Sequence, residues 1–395
     1  MIYLDHHATT PVDPRVVEAM LPFFTERFGN AGSKHHRFGW DASDAVERAR
    51  KQVAALIGAG PKDVIFTSGA TEADNLAIMG VAEAIRAKRD VSAGALAKPD
   101  HIVTVATEHK AVLDPCRRLE QNGWRVTVLP VNRAGLVDLS EVIAAVTERT
   151  VLVSVMAANN EIGVLQPIGE IARIAHARGA LMHTDAVQAV GKVPFDVEAL
   201  DVDLVSMTAH KLCGPKGVGA LYVRRRRAEV APLMEGGGQE RGLRPGTLNV
   251  PGIVGFGKAA EIARAAMPGE AKTTSGLRDR LLEGLRSRVD GMTVNGTLDA
   301  RLPGNLNVSF EGIDGEALLV SLDDIAVSSG AACTAAEPSH VLVALGLAKD
   351  RALASLRFGL GRTTTKDEVD YAAVKVAAVV SRLRSMSPVG GARRL

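Results

Sequence analysis

Asp203-Leu204-Val205-Ser206-Met207-Thr208-Ala209-His210-Lys211 runs straight into Leu212-Cys213-Gly214-Pro215-Lys216-Gly217-Val218-Gly219. An apolar run of strand character stops at a hydroxyl, an imidazole and an amine, and the Gly/Pro-rich turn behind them fixes where those groups point. A lysine at a rigid strand end can be stripped of water, which lowers its pKa and frees the amine to form a Schiff base with an aldehyde. Taken alone, Lys211 reads at least as readily as a solvated turn lysine, so the decision rests on the chain around it.

Working back from that stretch, strand-like and helix-like segments alternate. Apolar residues at three- and four-residue steps predict an amphipathic helix over 42–57, stopped by Gly58. Val64-Ile65-Phe66-Thr67 reads as a strand leading into Ser68-Gly69-Ala70-Thr71-Glu72-Ala73-Asp74-Asn75, where a helix starts. There Thr71 with Asp74 fits a capping pattern, and the small residues would let backbone N–H groups approach a phosphate. An ordinary capped helix fits equally well, and the spacing of a Walker loop is absent. Further strands are expected at Ile102-Val103-Thr104-Val105, Val126-Thr127-Val128-Leu129, Val151-Leu152-Val153-Ser154-Val155 and Ala180-Leu181-Met182-His183-Thr184-Asp185, with helices between them.

This alternation predicts an α/β fold, a mostly parallel sheet covered by helices on both faces. Ligands in such folds sit beyond the carboxyl ends of the strands. Thr71, His109, Asn160, Asp185, Gln188 and Lys211 all fall at or just after such ends. Six such side chains along one sheet edge make a site that none of them makes singly.

With 395 residues the chain is long enough for a large domain and a smaller one. The expected division is 14–264 for the large domain, with 1–13 and 265–395 forming the small one, because the pattern changes near Ala265. Lys+Arg 47 against Asp+Glu 45 gives a net charge of +2, which by field alone argues against a nucleic-acid or membrane-surface protein. Arg224-Arg225-Arg226-Arg227 is the local exception and reads as a solvated connection rather than a phosphate-binding patch.

His6-His7 lacks a carboxylate or cysteine at helical spacing and reads as a loop rather than a metal site. Residues 236–249 form a glycine-rich polar loop too long for a simple turn, and such loops are usually functional. Cys116, Cys213 and Cys333 lie far apart, as in a reducing compartment, and leave room for one reactive thiol. Met1-Ile2-Tyr3-Leu4-Asp5 has no basic segment before an apolar core, so no signal peptide is expected, and no apolar run is long enough to span a bilayer. The expected location is cytoplasmic.

A lysine, an acid and a helix start suit pyridoxal phosphate, which needs an amine for its aldehyde, a carboxylate for its pyridine nitrogen and anchors for its phosphate. Lys211, Asp185 and the Thr71 helix start would supply them, with His109 stacking on the ring and shuttling protons.

Tyr3-Leu4-Asp5 with Ala8-Thr9-Thr10-Pro11, Thr67-Ser68-Gly69-Ala70-Thr71-Glu72, Thr107-Glu108-His109-Lys110, Asn159-Asn160-Glu161-Ile162-Gly163, Asp185-Ala186-Val187-Gln188, His210-Lys211 with Gly214-Pro215-Lys216-Gly217, and Ser328-Ser329-Gly330 with Cys333 closely resemble the cysteine desulfurases of the IscS/NifS type. The resemblance runs from residue 2 to about residue 388. It implies a pyridoxal-phosphate enzyme of fold type I, with a mixed, mostly parallel sheet in the large domain and a smaller α+β domain, working as a homodimer with sites at the subunit interface. Lys211 then matches the Schiff-base lysine, Asp185 the pyridinium partner, His109 the ring-stacking acid/base and Gln188 the hydrogen bond to the phenolic oxygen. Ala70, Thr71, Thr208 and His210 match the phosphate anchors, with Thr247 reaching in from the other subunit. Asn160 and Arg357 match contacts to cofactor and substrate carboxylate. Cys333 matches the nucleophile that takes sulfur from L-cysteine.

The implied partners are L-cysteine and a sulfur-acceptor protein such as an iron–sulfur scaffold, with Cys333 a transient ligand of a shared cluster, no other metal site, and no direct nucleic-acid contact. Two departures matter: Ala31 stands where the family usually has proline, and the segment from Cys333 to Ser339 is a little shorter than the family's, which implies less reach. Competing readings are a selenocysteine lyase, a sulfur donor for tRNA thiolation or DNA sulfur modification, an aminotransferase that would leave Cys333 idle, and a catalytically silent assembly scaffold.

Overall fold

The computed structural model describes residues 1–91, 100–329 and 337–386. A seven-stranded sheet has the order Val64–Thr67, Gly219–Val223, Leu204–Thr208, Leu181–Asp185, Thr150–Ser154, His101–Val105, Arg125–Leu129. All neighbours are parallel except Gly219–Val223, which runs against both of its own. The continuous apolar runs of the sequence follow from helices on both faces, because a strand covered on each side has no position that favours a polar residue.

Side chains alternate between the faces. Phe66, Val103, Val153 and Val205 join a core with the Arg37–Leu56 helix and the first half of the Val250–Arg286 helix. Their neighbours Ile65, Ile102, Leu152 and Leu204 turn the other way, onto Ala73, Leu76 and Ala77 of the Ala70–Val91 helix and Val112 and Leu119 of the Lys110–Gln121 helix. Arg125–Leu129, at the sheet edge, alone among the strands of this sheet carries exposed positions.

A separate core forms around a four-stranded antiparallel sheet ordered Ser328–Ser329, Ser355–Gly359, Asn305–Phe310, Met292–Val294. Leu306, Val308, Phe310, Leu356 and Phe358 pack there against Val369, Ala373 and Val376 of the Lys366–Met386 helix. Leu4 belongs to this core, and Ile2–Tyr3 pairs with Ile325–Ala326.

The two cores share the Val250–Arg286 helix, whose 37 residues reach roughly 55 Å at 1.5 Å per residue. The expected change of element near residue 265 does not occur; Pro268 and Gly269 lie inside the helix. Arg224 also departs from the solvated-turn reading. It is 2 % exposed and donates to the carbonyls of Val197 and Val202 and to Glu198 Oε2, so the basic run is an ion-paired clasp rather than a free patch.

Candidate active site

The decisive stretch folds as its composition dictates. Leu204–Thr208 is fully buried, a single 3-10 turn over Ala209–Lys211 follows, and Gly219 begins the return strand. A Cβ on Gly219 would lie 2.7 Å from the backbone of Gly69 and 2.6 Å from Met207 O. Only glycine permits that approach, which sets the start of the Ala70–Val91 helix beside the lysine turn.

At this edge of the sheet lies a cleft of about 790 Å³. Ala70, Thr71, His109, Asn160, Asp185, Gln188, Thr208, His210, Lys211 and Arg357 all line it. Thr247 does not: it is exposed and outside the cleft of its own chain. Cys333 and Gly330 lie outside the described residues.

Lys211 Nζ donates to the carbonyls of His7 and, at 2.6 Å, Ala8. Burial, then the Arg357 charge, pushes the amine down to about 8, against the opposing pull of Asp5 and Asp185. Asp185 Oδ1 accepts from Val187 N at 2.9 Å. Burial raises its carboxyl above the usual range, while that hydrogen bond and the His109 and Lys211 charges act the other way. A cationic ring nitrogen beside Asp185 would supply the counter-charge such a buried group lacks.

His109 caps the Lys110–Gln121 helix by accepting from Ala111 N at Nδ1, 3.1 Å, which leaves Nε2 to carry the proton. His210 is held down at about 4 by burial and by Lys211 and Lys216, so it is neutral, with Nδ1 3.1 Å from Thr9 Oγ1. Arg357 donates from Nη2 to Asp5 Oδ1 and Ser328 Oγ, both at 2.7 Å, and from Nη1 to Asn160 O at 3.0 Å. Among the described residues its Nε is buried without a partner.

The expected Thr71–Asp74 cap is not what starts the phosphate-side helix. Glu72 Oε2 accepts from Ser68 N at 2.7 Å and Arg244 Nε holds Glu72 Oε1 at 2.9 Å, whereas Asp74 is fully buried, 3.6 Å from His183. The first-turn N–H groups of this 22-residue helix have no intrahelical acceptors and suit an anion. An amine of lowered pKa, a buried carboxyl, a helix N-terminus and an imidazole are the donor set that pyridoxal phosphate requires, and the cleft holds them together.

Sequence reasoning missed the backbone of His7 and Ala8, the Asp5–Arg357 pair and Lys192, whose Nζ donates to Gln188 Oε1 at 2.7 Å. Asp5 and Ala8 were legible as a motif without a role; Lys192, in a glycine turn, gave no signal at all. Cys116 is 1 % exposed and burial pushes its thiol up to about 12, which removes it as a nucleophile.

This geometry has close relatives. "Cysteine desulfurase IscS" of Anaeromyxobacter dehalogenans (strain 2CP-C) is 57 % identical over 391 residues, spanning 98 % of this chain and 94 % of that protein. Among solved structures, a "NifS-like protein" superposes with a TM-score of 0.88 at 41 % identity, over 97 % of this chain and 100 % of the other. "SspA in complex with cysteine" gives 0.80 at 34 % identity, over 92 % and 100 %. The family model for class-V aminotransferases matches residues 2–372. With a lysine-bearing cleft at the carboxyl edge of the sheet and relatives of this identity along nearly its whole length, the chain belongs to the class-V aminotransferase family, among the cysteine desulfurases of the IscS/NifS type.

Proposed function

We propose that the chain uses pyridoxal phosphate held on Lys211 to take sulfur from L-cysteine, by the balance Cys333–SH + L-cysteine giving Cys333–S–SH + L-alanine. The observation that carries this reading is the meeting of the Lys211 amine, the buried Asp185 carboxyl and the Arg357 guanidinium in one cleft. The cysteine bound by the SspA relative supports the choice of substrate.

When bound, the cofactor supplies an electron sink for the bonds at the substrate Cα. Lys211 Nζ, lowered to about 8, becomes a neutral amine as pH rises through that value and can then take the Cα proton. Asp185 keeps a proton on the pyridine nitrogen. Arg357, whose Nε has no partner among the described residues, offers donors to the substrate carboxylate, with Asn160 beside it. Ala70, Thr71, Thr208 and His210 would hold the phosphate at the helix start, and His109 would lie against the ring and move protons from Nε2. The Cys333 thiolate attacks the substrate sulfur.

The persulfide sulfur then passes to an acceptor protein, an iron–sulfur scaffold in the first instance. A homodimer fits the exposed Phe24, Phe28, Phe38 and Trp40, and would let Thr247 serve the neighbouring cleft. The working division is 14–264 against 1–13 with 265–395, supported by the separate core that holds Leu4 with Phe310 and Val376. The working location is the cytoplasm; among the described residues no helix is long and apolar enough to cross a membrane.

The test is borohydride reduction followed by peptide mapping, together with measurement of alanine and sulfide released from L-cysteine under reductant. A reduced adduct on the Lys211 peptide and equimolar products are expected. A Lys211 peptide that carries no adduct overturns the reading.

A further inference from the structure

Gln188 is 2 % exposed, lines the cleft, and makes three hydrogen bonds within the protein. Its Oε1 takes Lys192 Nζ at 2.7 Å and lies 3.2 Å from His7 Nδ1; its Nε2 donates to His7 O at 2.9 Å. An amide can be turned over to exchange oxygen and nitrogen, so its orientation must be decided by its neighbours. Turned over here, an N–H₂ would face the Lys192 amine, donor against donor, and a carbonyl would face His7 O, acceptor against acceptor. Lys192 and the carbonyl of His7 therefore decide together which end of Gln188 is which.

The consequence reaches the cleft. Nε2 carries two N–H groups, His7 O takes one, and the second remains for whatever occupies the cleft beside Gln188. We propose that Lys192 is a positioning residue for the reaction: by donating to Gln188 Oε1, together with the acceptor His7 O, it holds Gln188 so that an N–H, rather than a carbonyl, faces the phenolic oxygen of bound pyridoxal phosphate. This rests on the reading that Lys211 carries that cofactor.

The surroundings of Lys192 fit such a role. Its side chain is half-buried but its amine lies deep, facing Lys211, Arg357, Cys213, His6, His7 and His210. Burial and the Lys211 and Arg357 charges, opposed by Cys213, push it down to about 7. The hydrogen bond to Gln188 survives this, because a neutral amine can still donate, and His7 O, which can only accept, keeps Nε2 on its own side. His7, driven well below its usual value by burial, is neutral and adds a second donor only through one tautomer, so it cannot replace Lys192.

The test is a pH titration of the absorbance of the holoenzyme's lysine-bound cofactor in wild type, Lys192→Met, Gln188→Ala and the double variant. An N–H on the phenolic oxygen draws charge from the cofactor and lowers the pH at which its absorbance switches. Lys192→Met should raise that pH by about one unit, the worth of one hydrogen bond to a charged group, without changing cofactor content. In the Gln188→Ala background the same substitution should shift it by less than half as much. No shift in the single variant, or a shift half as large or larger in the Gln188→Ala background, overturns the proposal, since Lys192 would then be idle or act by charge alone. Should Lys192→Met fail to load cofactor, Lys192→Arg, which keeps a donor, should load; failure of both marks a structural role and also overturns it. A wild-type chain with no lysine-bound chromophore would instead sink the reading of Lys211, which the adduct mapping tests separately.

Discussion

Replacing Glu240 by glutamine tests how the long glycine-rich loop is held against the cleft. Glu240 lies in that loop yet its side chain is 1 % exposed, facing an Arg50 side chain that is 4 % exposed. Arg50 Nη1 and Nη2 each donate to it at 2.7 Å, and Phe66 N donates to Oε2 at 2.7 Å. Arg50 also stacks 4.7 Å from the centre of the Phe66 ring, so the guanidinium is fixed from two sides. Removing one partner of a buried pair costs about 3–5 kcal/mol, because the other charge stays behind unpaired. Glutamine keeps one acceptor, and Glu47, half exposed at 2.9 Å from Arg50, returns at most about 1 kcal/mol. The expected loss is therefore about 3 kcal/mol, a large share of the roughly 5–15 kcal/mol that holds a typical protein folded.

The loss should also be felt at the site. Glu240 and Arg241 sit at φ +46° and +60°, left-handed values that a freed loop would abandon, and Arg244 of the same loop braces Glu72 at the phosphate-side helix. Urea unfolding followed by far-UV circular dichroism, with cofactor retention through gel filtration as a second readout, measures both. A loss under about 1 kcal/mol refutes the reasoning. So does an Arg50→Met, Glu240→Leu double variant less stable than Glu240→Gln alone, because matched apolar replacement should recover most of the loss.

Three further outcomes are expected. Cofactor uptake by the cofactor-free protein should quicken as pH rises through about 8 and level off above it, since Lys211 must shed its proton and burial has moved that event down from 10.5; a rate that is flat between pH 7 and 9 in stopped-flow absorbance contradicts this. Arg357→Lys keeps the charge but loses the forked donors, and should raise KM for L-cysteine about tenfold to a hundredfold, with kcat changed far less; steady-state kinetics showing the reverse split would assign Arg357 elsewhere. Cys333→Ser should keep the yellow bound cofactor yet release no sulfide, and residual sulfide at wild-type rate would move the nucleophile to another residue.

The fold was legible where composition leaves one choice. Val64–Thr67 falls where the pattern placed it, because a strand buried on both faces is apolar throughout. The cleft was legible for a related reason: polar side chains that terminate apolar strands mark the sheet edge. What escaped was decided by tertiary packing. Nothing local distinguishes Arg224, enclosed by carbonyls from 197 and 202, from its solvated neighbours, and nothing local tells that Asp74 turns inward while Glu72 closes the helix start. The pattern changes near Ala265, yet the helix passes on through Pro268 and Gly269 because both of its halves are packed, one on each core.

The tie between Arg357 and Lys211 has an outcome for timing. Arg357 is the strongest charge holding the Lys211 proton affinity down, and Asp5, which shares that guanidinium, pulls the other way. A carboxylate arriving on Arg357 cancels its field at the amine, so the amine grows more basic at the moment a proton must leave the carbon next to that carboxylate. Each incoming amino acid thereby strengthens the base that will act on it, and a molecule without a carboxylate meets a weaker one.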